Sequence, residues 1–311
     1  MSKTAFLFPG QGSQSVGMVS DLAAGSELVR HTFEEASAVL GYDLWGVTEQ
    51  GPEERLGQTQ VTQPALLAAG IATWRVWLDR GGQTPDFMAG HSLGEYTALV
   101  AAGALDFEVA IGLVARRGEM MQQATPAGSG AMAAVLGLDD DVLAAVCEQA
   151  SDAGVVSCAN FNSPGQVVIA GERAAVDRAC ELAGEAGARR AVPLAVSVPS
   201  HCALMAPAAE GMRAVLEQAE VRAPKIPVLH NVDTRVRSAP DEIRAALVEQ
   251  LYRPVRWADT VRKLVDEGVQ RMAECGPGRV LAGLNRRISR DIETAALISH
   301  DAIGQTLEKW S

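Results

Sequence analysis

The chain has 311 residues, of which 48% are hydrophobic, and it carries a formal net charge of -11. This composition supports a large buried core, so a disordered or fibrous protein is excluded. The net negative charge argues against a nucleic-acid-binding protein, because phosphate backbones attract clustered positive charge. An acidic protein partner would have to bind a local basic patch.

The sequence carries no recognisable membrane or secretion signal. No apolar run reaches the roughly 18 residues of a spanning helix, and the first residues, MSKTAFLFPGQG, lack a charged segment followed by an apolar one. The five cysteines are scattered without a C-x-x-C pair, which indicates neither a disulfide framework nor a zinc site. We therefore expect a cytoplasmic protein that uses no metal and no other cofactor.

The N-terminal third alternates short apolar runs with longer amphipathic segments. Residues 4–10 predict a first strand, a helical region follows to about residue 80, and residues 86–92 predict a second strand. A helix is expected to begin at or just after Ser92, with Glu95 in its first turn, where a carboxylate suits the helix dipole. This alternation is typical of an α/β domain.

A second unit is predicted between residues 129 and 198. Its pattern reads strand, helix, strand, strand, helix, strand, which is the order of a ferredoxin-like α+β module, with a tight turn at 163–165. Residues 1–128 and 199–311 then form a discontinuous large α/β domain. Within this domain, 202–219 predicts a helix, 226–232 a strand, and 273–287 a strand, turn and helix. We expect a cleft between the two units.

A G-x-S-x-G pentapeptide, Gly90 to Gly94, lies where the second predicted strand meets the next helix. In that context the pattern predicts a nucleophile elbow, in which a sharp turn exposes the hydroxyl of Ser92. The flanking glycines allow close approach of the chain. The main-chain N-H of Leu93 would lie near the helix N-terminus and could donate to an oxyanion. The pentapeptide alone also occurs in ordinary glycine-rich loops, so the strand-to-helix context carries the prediction.

An activated serine needs a base, and histidine is the first candidate. His201 follows the inserted unit directly and could reach an interdomain cleft, while His230 remains an alternative. His91 adjoins the nucleophile, where elbow geometry would direct its side chain away from Ser92. No acidic residue stands out as the third member of a triad, but a backbone carbonyl can orient a histidine as well. The other two histidines are expected at the surface: His31 and His300.

Two further segments have both structural and functional interpretations. The loop Pro9 to Gln14 follows the first strand and is either a plain turn or the source of a second oxyanion donor, the Gln11 N-H; it lacks the Lys-Ser/Thr ending of a phosphate loop. Arg116 and Arg117 lie on an apolar helix. Such arginines are usually surface residues or ion-pair partners, but a planar guanidinium also suits a substrate carboxylate.

Several segments together resemble one family, the bacterial malonyl-CoA:acyl carrier protein transacylases, and the resemblance covers nearly the whole chain. The segments are PGQGSQ, TQPAL, GHSLGEY, RRGEMMQ, GAMAAVLGL, NFNSPGQVVIAG, VPSHCALM, QLYRPVRW and ECGPGRVL. The fold class that follows is a large α/β-hydrolase-like domain with a parallel central sheet plus an inserted ferredoxin-like α+β domain.

The resemblance implies a role for each candidate residue. Ser92 would be the nucleophile and His201 its base, oriented by the main-chain carbonyl of Gln250, and the N-H groups of Gln11 and Leu93 would form the oxyanion hole. Arg117 would bind the malonyl carboxylate. The remaining substrate-side residues match family positions near the pocket, with packing as the alternative role: Gln63, His91 and Asn162.

The implied reaction transfers malonyl from malonyl-CoA to the phosphopantetheine thiol of acyl carrier protein, by a ping-pong route and for fatty acid synthesis. A serine thioesterase and a supplier of a polyketide pathway are the alternatives. The segment 198–201 ends in the candidate base and matches neither polyketide specificity pattern, and the small Ser200 leaves room for a bulkier malonyl derivative.

Two arginine doublets are candidates for docking the acidic carrier, with ordinary surface charge as the alternative. They are Arg189 with Arg190 and Arg286 with Arg287. Both are expected at the rim of the cleft. No exposed heptad pattern or long apolar edge indicates a partner copy, so we expect a monomer.

Overall fold

The large unit is built on a five-stranded parallel sheet in the order β7-β2-β1-β8-β9. The computed structural model describes residues 2–126, 128–196 and 198–310. The strands of this sheet are β1 (Lys3–Phe8), β2 (Phe87–Gly90), β7 (Val228–Leu229), β8 (Val269–Glu274) and β9 (Glu293–Ala296). The predicted strand at 226–232 is therefore only two residues long.

Helices cover both faces of this sheet, as parallel sheets require. They are α1 (Ser20–Gly25), α2 (Glu27–Leu40), α3 (Leu44–Gln50), α4 (Glu53–Leu56), α5 (Thr59–Asp79), α6 (Gly94–Ala101), α7 (Phe107–Gln123), α10 (Ala206–Gln218), α11 (Pro240–Glu249), α12 (Trp257–Asp266), α13 (Val280–Ile288) and α14 (His300–Trp310). None of the helices in the described ranges is both long and apolar enough to cross a membrane.

Alternate residues of the strands enter two different cores. Phe6 and Phe8 of β1 face the larger core, which includes the almost fully buried helix α5, while Ala5 and Leu7 face a second core formed with α12 and α13. This division follows from the two-residue period of a strand, whose successive side chains point to opposite faces. The sheet is thus buried on both sides, and the central residues of β1 and β2 are apolar.

The small unit is a four-stranded antiparallel sheet in the order β4-β5-β3-β6, and its core lies between this sheet and helices α8 (Asp140–Gln149) and α9 (Arg173–Glu185). This strand order and the alternation with two helices are those of a ferredoxin-like module. The predicted fold class is confirmed, whereas the domain limits at 129 and 198 stay a prediction. The strands are β3 (Gly130–Leu136), β4 (Val156–Ser163), β5 (Gln166–Glu172) and β6 (Arg190–Pro193).

Backbone hydrogen bonds join the small unit to the large one. Val255 N donates to Ala159 O at 2.8 Å, and Phe161 N donates to Val255 O at 2.9 Å. The second half of β4 is therefore fixed against the segment that precedes α12. This contact brings the residues at the end of β4 close to the carboxyl ends of β1, β2 and β7, where open α/β sheets bind their ligands.

Candidate active site

The turn between β2 and α6 is a nucleophile elbow with Ser92 at its tip. Ser92 has φ 51°, in the left-handed region that non-glycine residues rarely adopt. A Cβ on Gly94 would lie 2.0 Å from Phe8 O, and a Cβ on Gly90 would lie 1.9 Å from Gly94 C. Both glycines are thus required because β1, β2 and α6 approach one another too closely for any side chain.

Asn231 holds the elbow in this conformation. Its Oδ1 accepts a hydrogen bond from Ser92 N at 2.7 Å, and its Nδ2 donates to Gly90 O at 2.7 Å. Sequence reasoning did not identify this residue. Its position near the end of the predicted strand 226–232, at the carboxyl edge of the sheet, was the one available signal.

His201 is placed as the base for Ser92. Its Nε2 lies 2.7 Å from Ser92 Oγ, and its Nδ1 lies 2.7 Å from the main-chain oxygen of Gln250. A carbonyl oxygen can only accept, so Nδ1 carries the hydrogen and Nε2 is free to accept from the serine hydroxyl. His201 also has a positive φ, 63°, and its N-H donates to Leu251 O at 3.1 Å.

The surroundings of His201 favour its neutral form. Burial, and secondly the positive charge of Arg117, lower the pKa of His201 to about 3. A carboxylate beside the ring would oppose this shift, but the orienting group here is an uncharged carbonyl. The imidazole is therefore available as a base throughout the physiological pH range.

His230, the alternative base, has a different partner. It is fully buried, and its Nδ1 lies 2.6 Å from Glu95 Oε1. The Glu95 carboxylate is also fully buried and accepts from Asn231 N and Gln250 Nε2 through its other oxygen. Glu95 therefore does more than interact with the dipole of α6, a role that the sequence alone did not indicate.

Arg117 is a buried cation whose hydrogen-bond acceptors are uncharged. Its Nη1 donates to Gln63 Oε1 at 2.7 Å, and its Nη2 donates to Gln250 Oε1 at 2.9 Å and to Ser92 Oγ at 3.4 Å. The guanidinium also lies over the ring of Tyr96. A buried guanidinium held by neutral groups retains its affinity for an incoming carboxylate.

Arg116 differs from its neighbour. Its side chain is exposed and pairs with Glu119 at 3.8 Å, so the surface interpretation applies to Arg116 only. The helical period explains this split, because consecutive residues of α7 point about 100° apart.

Of the two expected oxyanion donors, Gln11 lines the same cavity as the nucleophile, and Leu93 directly follows Ser92 at the start of α6. Neither Gln11 N nor Leu93 N donates to an acceptor within the described ranges 2–126, 128–196 and 198–310. The cavity has a volume of about 420 Å³ and is lined by Gln11, His91, Ser92 and His201 together with residues of both units. Free N-H groups beside a nucleophile are what an oxyanion site needs.

His91 and Asn162 connect the two units next to the cavity. His91 Nε2 donates to Asn162 Oδ1 at 2.8 Å, and burial lowers the pKa of His91. The hydrogen bond joins the His91 ring to the end of β4. Gln63 lies behind Arg117, where it accepts from the guanidinium, so its direct contact is with that side chain.

The arginine doublets lie apart from the catalytic cavity and are absent from its lining. Arg189 and Arg190 of the small unit converge with Arg287 of the large unit on a second cavity of about 620 Å³, while Arg286 lines a different one. Arg287 Nη1 also donates to Gln166 Oε1 at 2.7 Å. Three of the four arginines thus form one basic surface across the two units, and their part in docking a carrier stays a prediction.

The chain matches one family model and many known proteins. The family described as acyl transferase domain matches residues 5–304. A malonyl CoA-acyl carrier protein transacylase of Haemophilus influenzae is 57% identical over 298 residues, which are 96% of this chain and 96% of that protein.

Solved structures agree with the sequence comparison. An acyl carrier protein S-malonyltransferase from Vibrio cholerae is 54% identical, has a TM-score of 0.96, and covers 98% of this chain and 100% of its own. A malonyl-transacylase in complex with the acyl carrier protein of a type II polyketide synthase is 54% identical with a TM-score of 0.98, over 99% of this chain and 100% of its own. The chain therefore belongs to the acyl transferase family and, within it, to the malonyl-CoA:acyl carrier protein transacylases.

Proposed function

We propose that this enzyme transfers a malonyl group from malonyl-CoA to the phosphopantetheine thiol of an acyl carrier protein, through a malonyl ester on Ser92. The observation that carries the proposal is that Ser92 Oγ lies within 2.7 Å of His201 Nε2 and within 3.4 Å of Arg117 Nη2. The base and the carboxylate-binding cation thus both contact the nucleophilic oxygen of Ser92. A substrate with a thioester at one end and a carboxylate at the other fits this arrangement.

The first half-reaction acylates the serine. His201 accepts the proton of Ser92 Oγ as that oxygen attacks the thioester carbonyl. The negative charge that develops on the carbonyl oxygen is stabilised by the N-H groups of Gln11 and Leu93. Collapse of the tetrahedral intermediate expels the CoA sulfur, which receives the proton from His201.

The second half-reaction returns the acyl group to a thiol. The pantetheine thiol of the carrier protein enters the position that CoA left, and His201 takes its proton as the sulfur attacks the ester. The same N-H groups stabilise the second oxyanion, and Ser92 leaves as the alcohol after it recovers a proton from His201. Nucleophile, base and oxyanion donors all come from the chain, so we propose that no cofactor or metal takes part.

A serine thioesterase would use the same elbow and base but would have no need of Arg117. A malonyl ester held through its carboxylate is positioned for a thiol arm and has little freedom to meet water. Rapid release of free malonate from the acylated enzyme, in the absence of a thiol acceptor, would favour the thioesterase.

The acceptor of the malonyl group is a small carrier protein. We propose the acyl carrier protein of fatty acid synthesis as acceptor, in the cytoplasm. A type II polyketide carrier is a second candidate, because a relative of 54% identity forms a complex with one. Transfer assays with both carriers, loaded with phosphopantetheine, would decide between them.

The test of the whole proposal is the intact mass of the protein after mixing with malonyl-CoA and, separately, with acetyl-CoA. We expect a malonyl adduct on the wild type, no adduct on Ser92→Ala, and a shift towards the acetyl adduct on Arg117→Ala. Addition of carrier protein should then remove the malonyl adduct and appear as malonyl-carrier. Absence of any adduct on the wild type would overturn the proposal.

A further inference from the structure

Glu95 is a fully buried carboxylate at the centre of the site that touches neither the base nor the attacking atom. Its Oε1 lies 2.6 Å from His230 Nδ1, and its Oε2 accepts from Asn231 N at 3.0 Å and from Gln250 Nε2 at 2.9 Å. A buried carboxylate is stable only when such donors surround it. No carboxylate contacts His201 within the described residues, but Glu95 contacts Gln250, the residue whose main-chain oxygen orients the base.

Two of the three partners of this carboxylate, Gln250 and Asn231, hold reacting groups. The Gln250 amide accepts from Arg117 Nη2 at 2.9 Å and donates to Ser92 O at 3.0 Å, while its main-chain oxygen orients His201. Asn231, the second partner, accepts the hydrogen bond from Ser92 N. Glu95 therefore connects to the nucleophile, the base and the cation through Gln250 and Asn231, by way of the Gln250 amide and the Asn231 main-chain N-H.

The direction of the Gln250 amide is the critical feature. An amide can turn by 180° with little change in shape, which exchanges its donor and acceptor ends. In the observed orientation the oxygen faces the Arg117 guanidinium and the nitrogen faces the Glu95 carboxylate. The reverse orientation would place N-H groups against a cation that has only donors, and an oxygen against a carboxylate that has only acceptors.

We propose that Glu95 is a positioning residue that fixes the Gln250 amide and thereby aligns Arg117 with Ser92. This inference rests on the proposed function, since the alignment matters only if a malonyl carboxylate binds Arg117. Loss of the alignment should reduce reaction with malonyl-CoA more than reaction with acetyl-CoA, which has no carboxylate.

Two conservative variants separate geometry from charge. Glu95→Gln removes the charge but keeps the length: its oxygen can accept from Asn231 N and Gln250 Nε2, while its amide nitrogen donates to His230 Nδ1. The hydrogen on the His230 ring then moves to Nε2. This atom has no hydrogen-bond partner within residues 2–126, 128–196 and 198–310, so the move breaks no hydrogen bond. Glu95→Asp keeps the charge but is one methylene too short to reach Gln250.

The measured quantity is the kcat/KM for acylation by malonyl-CoA divided by that for acetyl-CoA. This ratio is independent of the fraction of folded enzyme, so a merely structural role of Glu95 would not change it. We expect Glu95→Asp to lower this ratio about tenfold or more, because a charge-assisted hydrogen bond is lost. The ratio for Glu95→Gln should stay within about threefold of the wild-type ratio. Glu274→Gln is the matched control, because Glu274 is also fully buried but accepts from the backbone N-H groups of Leu281 and Ala282.

A second experiment repeats Glu95→Asp in a Gln250→Met background, where the main-chain oxygen that orients His201 is retained. The effect of Glu95→Asp on the ratio should disappear there, because the amide that transmits it is gone. An unchanged ratio in Glu95→Asp, an equal loss in Glu95→Gln, or an effect that persists with Gln250→Met would each overturn the inference. If instead the wild type itself forms no malonyl adduct, the proposed function has failed and not the inference alone.

Discussion

Arg117 Nη2 lies 3.4 Å from Ser92 Oγ, so the cation of the site donates to the same oxygen that faces the base. A single methylene separates the two carbonyl carbons of a malonyl group, which is short enough for one end to meet Arg117 while the other meets Ser92. We therefore expect the distance between these residues to select a diacid as short as malonyl, and the guanidinium to select its charge.

Removal of the guanidinium should change acyl selectivity. We expect Arg117→Ala to lower kcat/KM for malonyl-CoA about a hundredfold, since charge-assisted hydrogen bonds to the carboxylate are lost, with a much smaller effect on acetyl-CoA. Acylation rates from intact mass measure both values. Arg116→Ala, which removes the exposed neighbour, is the control. Equal loss with both donors would contradict the carboxylate-binding role.

The pH dependence of acylation should lack the inflection of an ordinary histidine. Because the pKa of His201 is lowered to about 3, its neutral form persists as the pH falls, and kcat/KM should not report this group between about pH 5 and 8. Single-turnover acylation at a series of pH values measures this. A fall in rate centred near pH 6.5 would show that the base titrates normally.

The same pKa has a consequence for stability. Between about pH 6.5 and pH 3 the unfolded chain binds a proton at His201 that the folded chain does not, so the free energy of unfolding should fall as the pH falls through this window. His201→Ala should remove this component of the pH dependence. Denaturant unfolding of both proteins at pH 7 and near pH 4 measures it, and equal slopes would contradict the assignment.

Loss of the Asn231 side chain should destabilise the elbow. Asn231→Ala leaves Ser92 N and Gly90 O without their partners, which we expect to cost about 2–4 kcal/mol and to slow acylation. Asn285→Ala is a control at another fully buried asparagine, whose Oδ1 accepts from Trp257 Nε1. Denaturant unfolding and acylation rates distinguish the two variants. A stability loss without slower acylation would show that Asn231 has no role in catalysis.

A methyl group at Gly94 should not be accommodated. Its Cβ would lie 2.0 Å from Phe8 O, so we expect Gly94→Ala to lose more than about 3 kcal/mol of stability or not to fold. Gly112→Ala, on α7, is the matched control because nothing lies within 4 Å of its added Cβ. That substitution should be neutral or stabilising by up to about 1 kcal/mol. Equal thermal stability of the two variants would contradict the close approach of α6 and β1.

The basic surface should act only in the second half-reaction. We expect Arg190→Glu and Arg287→Glu to lower kcat/KM for the carrier protein about tenfold and raised salt to have a similar effect, with no change in acylation by malonyl-CoA. Arg30→Glu, at an exposed arginine of α2, is the control. If the reversals at Arg190 and Arg287 have no more effect than this control, the doublets are ordinary surface charge.

The sequence predicted the elements around the nucleophile correctly because their signals are local. Gly90 and Gly94 around Ser92 indicate a backbone turn, and the short continuous apolar runs that end in Gly or Pro indicate buried strands. The ferredoxin-like order of the small unit was likewise visible, since turns and periods mark its elements in succession. Short connections between these elements then allow only a few ways to pair the strands of the small unit.

The choice between His201 and His230 could not be made from local patterns. His201 follows the predicted small unit and His230 lies within the predicted strand 226–232. Only the tertiary structure places His201 Nε2 at the Ser92 hydroxyl and His230 at Glu95. The resemblance to a known family supplied that choice, but the residues themselves left it open.

By itself, the sequence determined the fold class and the position of the nucleophile, because periodicity, glycine placement and turn chemistry act between near neighbours. The tertiary structure alone decided the polar network, because its members lie far apart in the chain: Ser92 and His201 are separated by 109 positions, and Glu95 and Gln250 by 155. Buried polar groups need hydrogen-bond partners, and the fold decides which residues are close enough to serve. No local sequence pattern identifies those partners.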